Sequence, residues 1–180
     1  MKLRIIAGKY GGRFVQAPDG VTTHPMGERV RGALFNKLGD VGGMRVLDAY
    51  AGSGALSFEA LSRGAHSALL VERDRKAQRF IEENITGLGA TDQAKLIKTS
   101  CRIWSDGNTH EMFDLILCDP PYNDVKVSTI TLLTRHMKPN ALMVLSYPGR
   151  ESAPTVNGVV VVDNRSYGDA ALAFYRRDAA

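Results

Sequence analysis

Cysteine is nearly absent. The 180 residues include two, Cys101 and Cys118, and neither belongs to a CxxC pair. That excludes a disulfide framework and suits a reducing compartment, so a cytoplasmic protein is expected. The four histidines, His24, His66, His110 and His136, are scattered without metal-ligand spacing, and no metal is expected. Long apolar runs are missing as well: none approaches the ~20 residues that cross a bilayer. The opening MKLRIIAGKYGG lacks the sustained apolar core of a signal peptide, so no membrane partner is expected. Internal repeats and low-complexity segments are absent, which excludes a solenoid. The length suits a single domain with one core.

Charge is present but unevenly placed. Residues 1–37 carry seven cations, Lys2, Arg4, Lys9, Arg13, Arg29, Arg31 and Lys37, against Asp19 and Glu28, a net of +5. The whole chain is +4, so the other 143 residues sum to −1. A basic arm on a near-neutral body suggests a polyanion, with nucleic acid the first candidate. A solvated basic hairpin is the plainer alternative.

LRIIAGKYGGRFVQAP (3–18) predicts two short strands around a Gly-Gly turn, with Lys9 and Arg13 near the tip. VTTHPMG (21–27) reads as a linker, and apolar residues at 30, 34, 35 and 38 predict a helix stopping at Gly39. From Arg45 onward strands alternate with helices. Strands are expected at 45–50, 67–72, 94–99, 113–119 and 141–147, and helices at 55–64, 74–89 and 127–137. The tail from 158 reads as two strands around a turn at Ser166–Asp169. Such alternation implies an α/β, doubly wound, mostly parallel sheet with right-handed crossovers and an antiparallel C-terminal edge.

The stretch VLDAYAGSGALSFEAL (46–61) is strand, glycine turn, helix. In a doubly wound sheet, ligands bind outside the carboxyl ends of the strands. Gly52 and Gly54 allow a sharp turn and close approach. A nicotinamide fingerprint needs a third glycine where Ser57 stands, and it gives no reason for Asp48. A carboxylate at Asp48 suits the cationic amino acid end of S-adenosylmethionine, directly or through water. Glu72, at the end of the next strand, is placed for the ribose hydroxyls. A turn acid at Asp48 and a solvated strand end at Glu72 are the structural alternatives.

After the apolar run FDLIL the chain reads Cys118-Asp119-Pro120-Pro121-Tyr122. Two prolines end a strand, because neither donates to the ladder. An exocyclic amine on a nucleobase is a poor nucleophile, its lone pair being delocalised into the ring. Two acceptors aimed at its hydrogens, the Asp119 carboxylate and the Pro120 carbonyl, would localise that pair; rigid prolines hold the carbonyl in place. Tyr122 would stack on the base. A plain turn with a surface tyrosine is the alternative for any one of these residues, but not for the set following a glycine loop and Glu72.

These residues resemble class I S-adenosylmethionine-dependent methyltransferases acting on amino groups. RIIAGKYGGR, HPMGERVRGALFNKL, LDAYAGSGALSFEALSRGA, DPPY and ALAFYRR together resemble the RsmD family across about residues 3–177. The resemblance implies a Rossmann-like fold: a basic extension over 1–40 and a methyltransferase domain over 41–180 in one compact unit. It implies S-adenosylmethionine as cofactor, with Asp48, Gly52 and Gly54 at its methionine end, Glu72 at its ribose, and Ser100 and Cys101 near its adenine. Tyr50, Ala51, Ser53, Arg73 and Asp119 would complete that site. Asp119, Pro120, Pro121 and Tyr122 would handle the target amine, and Arg4, Lys9, Arg13, His24, Arg29 and Arg31 the RNA phosphates. The partner implied is 16S rRNA in an assembled or partly assembled small ribosomal subunit, bound by a monomer. The activity implied is methylation of one guanine N2, at position 966. The sequence departs from the family pattern at His24, Gly27, Glu28, Gly32, Ser57 and Ser100.

The expected reaction is direct methyl transfer to an unstacked base, without metal or covalent enzyme intermediate. An amino methyltransferase acting on adenine N6 or cytosine N4 shares every core motif. A non-catalytic RNA-binding assembly factor would not need the intact Asp-Pro-Pro-Tyr run, and a nicotinamide oxidoreductase lacks residues for hydride chemistry.

Overall fold

The computed structural model describes residues 1–19 and 25–177. A two-stranded antiparallel hairpin, β1 (Lys2–Arg4) and β2 (Phe14–Gln16), precedes helix α1 (Glu28–Leu38). Then follow β3 (Arg45–Asp48), α2 (Ala55–Ser62), β4 (Ser67–Val71), α3 (Arg75–Leu88), β5 (Ala94–Ile97), α4 (Cys101–Gly107) and β6 (Phe113–Cys118). After a 3-10 turn come α5 (Val127–Leu133), a second 3-10 turn, β7 (Met137–Pro148), β8 (Val159–Tyr167) and β9 (Ala170–Arg177). The large sheet has the order β5-β4-β3-β6-β7-β9-β8. Strands β3 to β7 are parallel, and β9 inserts antiparallel between β7 and the edge strand β8. The doubly wound sheet with an antiparallel edge is therefore present as expected.

The period-2 alternation of the strands builds two cores. Val46, Leu115, Leu117 and Val144 face one side with Leu34, Phe35, Leu61 and Ile81 from α1, α2 and α3. Leu47, Ile116, Cys118 and Leu145 face the other side with Trp104, Ile130 and Leu133 from α4 and α5. Each buried aliphatic or aromatic side chain contributes roughly 1.5–3 kcal/mol, and these two layers fix where the strand ends emerge.

The hairpin packs over α2, all eight residues of which are buried. Its anchor is Glu59, whose carboxylate accepts the Ile6 N–H at 2.9 Å and the Ala7 N–H at 3.2 Å. Arg63 Nε lies 3.2 Å and Arg31 Nε 3.6 Å from the same carboxylate. A buried acid with two amides and two guanidiniums is a satisfied charge; removing the Glu59 carboxylate would leave these partners unpaired at a cost of about 3–5 kcal/mol. Asn84 on α3 ties the base of the hairpin to the glycine loop: its side chain exchanges two hydrogen bonds with Gln16 and donates to the Ser53 carbonyl at 3.0 Å.

Helix α4 is absent from the sequence expectation. It is short, and it begins at an N-cap, Ser100, whose hydroxyl accepts the Ile103 N–H at 3.3 Å. The helix expected over 127–137 ends at Leu133, and its last residues form a 3-10 turn. Among the described residues no helix is long and apolar enough to cross a membrane.

Candidate active site

Strands β3, β4, β5, β6 and β7 all end at one crevice of about 810 Å³, a size typical of small-molecule sites. The outer wall comes from the N-terminal segment, through Pro18, Pro25, Met26, Val30 and Arg31. The topology brings the β3 and β6 ends together because these strands are hydrogen-bonded neighbours, Asp48 pairing with Leu117.

On the β3 side, Tyr50, Ala51, Gly52 and Ser53 line the crevice. Gly52 has φ +58 and no atom within 4 Å of where a Cβ would stand, so its backbone is open to a ligand. Gly54 does not line the crevice; it turns the chain into α2 at φ +82, where a Cβ would lie 2.5 Å from the Phe58 ring. Asp48 also stands off the wall. It is 1% exposed, one oxygen accepts the Ser57 hydroxyl at 2.7 Å, and Oδ1 has no partner. Desolvation pushes its carboxyl up to about 7, against the lowering effect of Ser57, with Asp119 and Glu72 adding to the rise. Asp48 is thus a buried, half-satisfied acceptor beneath the loop. Ser57, a departure from the family pattern in the sequence, is the group that satisfies its other oxygen.

On the β4 side, Glu72 and Arg73 line the crevice. The Glu72 carboxylate accepts the Gly52 N–H at 2.7 Å and the Asp74 N–H at 2.8 Å. Each oxygen retains a lone pair for a further donor. Arg73 is exposed and pairs with Asp124 at 3.3 Å. Ser100 and Cys101 line the crevice at the end of β5, the serine hydroxyl being engaged as the α4 cap. Burial raises the Tyr50 phenol and the Cys101 and Cys118 thiols, so all three are neutral and neither thiol is a nucleophile.

On the β6 side, Asp119, Pro120, Pro121 and Tyr122 all line the crevice. Desolvation pushes the Asp119 carboxyl up to about 6, and Ser146 works against that rise. The Pro121 carbonyl accepts the Asp124 N–H at 2.9 Å, while the Pro120 carbonyl meets no donor among the described residues. Tyr122 is part-exposed, and its hydroxyl lies 2.6 Å from Ser146 Oγ. Ser146, on β7, lines the crevice and was not anticipated. The signal was a lone serine in the apolar strand ALMVLSY, near the strand's carboxyl end.

The cations expected to meet RNA divide. Arg29 is exposed, next in the chain to the crevice-lining Val30. Arg4 is exposed and ion-paired with Glu28. Arg31 is not a surface group: it is 1% exposed, donates to the Arg4 carbonyl at 2.5 Å and pairs with Glu59. The apolar face of α1 carries it inward. Lys9 and Arg13 reach Gln93 Oε1 at 2.5 Å and the Gly87 carbonyl at 2.6 Å. Gly87 is in the last turn of α3 and Gln93 just precedes β5, so the hairpin tip sits at the end of the sheet opposite the crevice. His24 falls outside the described residues.

Sheet order, glycine turn and a Pro-Pro elbow on the neighbouring strand define a Rossmann-like methyltransferase fold. Comparison with known proteins agrees. Residues 3–176 match the family described as Conserved hypothetical protein 95. "Putative rRNA methyltransferase YlbH" of Bacillus subtilis is 30% identical over 182 residues, covering 97% of this chain and 99% of that one. "Ribosomal RNA small subunit methyltransferase D" of Escherichia coli (strain K12) is 32% identical, covering 99% and 91%. The solved "Putative methyltransferase yhhF" of Escherichia coli superposes with a TM-score of 0.89 at 31% identity, covering both chains fully. A distant fold neighbour, SMU.776, a putative methyltransferase complexed with SAH, has a TM-score of 0.70 at 15% identity, covering 91% of this chain and 53% of that one. The chain belongs to the RsmD family of methyltransferases.

Proposed function

We propose that this protein transfers a methyl group from S-adenosylmethionine to the exocyclic N2 amine of a guanine in 16S rRNA, at guanine 966 by family analogy. The observation that carries the reading is the meeting of the Asp119-Pro120-Pro121-Tyr122 turn and the Gly52 loop in one crevice. Relatives over nearly the whole chain are named as rRNA methyltransferases, which supports rRNA as the substrate class.

The residues fit the cofactor. The unpartnered Asp48 Oδ1 is an acceptor lacking a cation, and the open face of Gly52 leaves room above the loop. Glu72 would take the ribose hydroxyls, and the chain from Ser100 to Cys101, with Tyr50, Ala51, Ser53 and Arg73, would border the rest. Bound S-adenosylmethionine supplies an electrophilic methyl carbon on a cationic sulfur.

Asp119 and the Pro120 carbonyl would each accept a hydrogen of the target amine, localising its lone pair toward the methyl carbon. Both acceptors are preorganised, one by burial and one by proline. Stacking on Tyr122 would contribute roughly 1–3 kcal/mol toward holding the unstacked guanine. As the nitrogen–carbon bond forms and the carbon–sulfur bond breaks, its electron pair goes to sulfur and the amine proton passes to Asp119 or solvent. No residue becomes covalently attached.

The substrate context is 16S rRNA within a small ribosomal subunit, met by a monomer in the cytoplasm. Arg29 stands on α1 between the crevice-lining Gly27 and Val30, and Arg4 pairs with Glu28 next to it, so these two would carry more of the phosphate contact close to the target than Lys9 and Arg13. The test is a transfer assay with labelled S-adenosylmethionine and small ribosomal subunits from a strain lacking this modification, followed by nucleoside analysis. N2-methylguanosine at one site is expected. Label in N6-methyladenosine or N4-methylcytidine would overturn the target atom, and no label in RNA would overturn the reading.

A further inference from the structure

The crevice contains a buried hydroxyl, that of Ser146, to which neither the cofactor nor the target reading gives a role. Ser146 is 2% exposed on β7, in a stretch otherwise composed of Ala141, Leu142, Met143, Val144, Leu145 and Tyr147. A hydroxyl in such surroundings costs free energy unless it is bonded. Its place follows from register. Leu117 of β6 pairs with Val144 of β7. Two residues further along each strand, on the same face, come Asp119 and Ser146. Neighbouring strands run roughly 4.8 Å apart, so the serine is carried to the side of the carboxylate by the sheet itself.

Ser146 Oγ lies 2.6 Å from Tyr122 Oη. The same register sets Asp119 beside this hydroxyl, which favours the ionised carboxylate. Either hydroxyl can donate in the Tyr122–Ser146 contact. An ionised Asp119 only accepts, so a Ser146 proton turned to it leaves Tyr122 as the donor to Ser146. One serine therefore joins the two side chains that the proposed reaction uses, the amine acceptor and the stacking ring, and joins them across a loop that its prolines hold rigid only at the backbone.

We propose that Ser146 is a positioning residue of the methyl-transfer site, tying the Tyr122 ring to the end of β7 and orienting the Asp119 carboxylate toward the target amine. It touches neither reacting atom. The inference rests on the methyltransferase reading, and it assigns the tether of the elbow to a residue outside the elbow.

The test compares wild type, Ser146→Ala, Tyr122→Phe and the double variant in the subunit transfer assay, with cofactor affinity measured by calorimetry. Ser146→Ala is expected to lower kcat about tenfold, the scale of one or two lost hydrogen bonds, with cofactor affinity unchanged. Its acidic limb of activity moves to higher pH, because a group favouring the ionised carboxylate is gone. Tyr122→Phe keeps the ring and loses the tether, so it is expected to lower kcat several-fold without moving that limb. The double variant matches Ser146→Ala, because both changes break one bond. An active wild type with wild-type turnover and pH profile in Ser146→Ala would overturn the inference alone. Should Ser146→Ala fail to fold, Tyr122→Phe decides: wild-type turnover there overturns the tether. A wild type that methylates no RNA overturns the underlying reading with it.

Discussion

The ends of β3 and β6 lie side by side, and they meet the crevice by opposite means. After β3 the chain turns through Gly52 and Gly54 in left-handed backbone conformations, and the acid Asp48 stays beneath the loop with one oxygen unpartnered. After β6 it turns through two prolines, and the acid Asp119 lines the crevice itself. Glycine leaves a surface that a ligand's backbone contacts can fill; proline leaves fixed acceptors. Each acid has a serine beside it from another element, Ser57 on α2 for Asp48 and Ser146 on β7 for Asp119. The difference suits two tasks, a cradle for a cationic cofactor and a rigid template for one amine.

Three changes sharpen or break that division, taken from the largest effect to the smallest. Asp119→Ala should lower turnover by about a hundredfold or more, the scale for removing a preorganised acceptor. Wild-type activity should rise as pH increases through about 6, where Asp119 ionises. A flat profile between pH 5 and pH 7 would count against the carboxylate as the amine acceptor.

Asp48→Asn acts on the other strand end. The folded carboxyl titrates at about 7, above its usual 3.8, so the folded chain keeps a proton that the unfolded chain has released. Stability present at low pH is therefore lost as pH rises through about 7. The amide cannot ionise, so the cofactor-free variant should melt above wild type at pH 8, by on the order of 2–4 kcal/mol, and the gap should close near pH 4. Equal melting temperatures at pH 8 would mean that Asp48 is not a strained acid.

The smallest effect is expected at the hairpin tip. Lys9→Ala with Arg13→Ala should leave cofactor affinity and kcat unchanged. It should flatten the salt dependence of RNA binding by at most about two phosphate contacts. Arg29→Ala, beside the crevice, should weaken RNA binding at least as much alone; the reverse order would show that RNA wraps the far end of the sheet.

Much of this was legible in the sequence because it depends on local pattern. Short apolar runs alternating with helical stretches pointed to the parallel strands, and their order placed Asp119 beside the glycine loop. Helix α4 was hidden because it is seven residues long and opens at a capped serine that resembled a ligand contact. The charge of Arg31 points to the surface, whereas its place at 31 with 34, 35 and 38, an i, i+3, i+4, i+7 set on one helix face, points inward, and inward is where it lies. Its burial was readable; its partner Glu59, on another helix, was not. The direction of the hairpin tip depends on packing over α2 and α3, which no short stretch of sequence records. Ser146 was masked by the apolar strand around it.

The division between the two strand ends is tested most directly by titrating S-adenosylmethionine into wild type, Asp119→Ala and Asp48→Asn by calorimetry, with turnover measured at saturating cofactor. The account predicts near wild-type affinity with turnover lost in Asp119→Ala, and affinity lowered about tenfold or more in Asp48→Asn, the scale of one lost charged contact. Asp119→Ala that loses cofactor affinity as severely as Asp48→Asn, or that turns over normally, would contradict it.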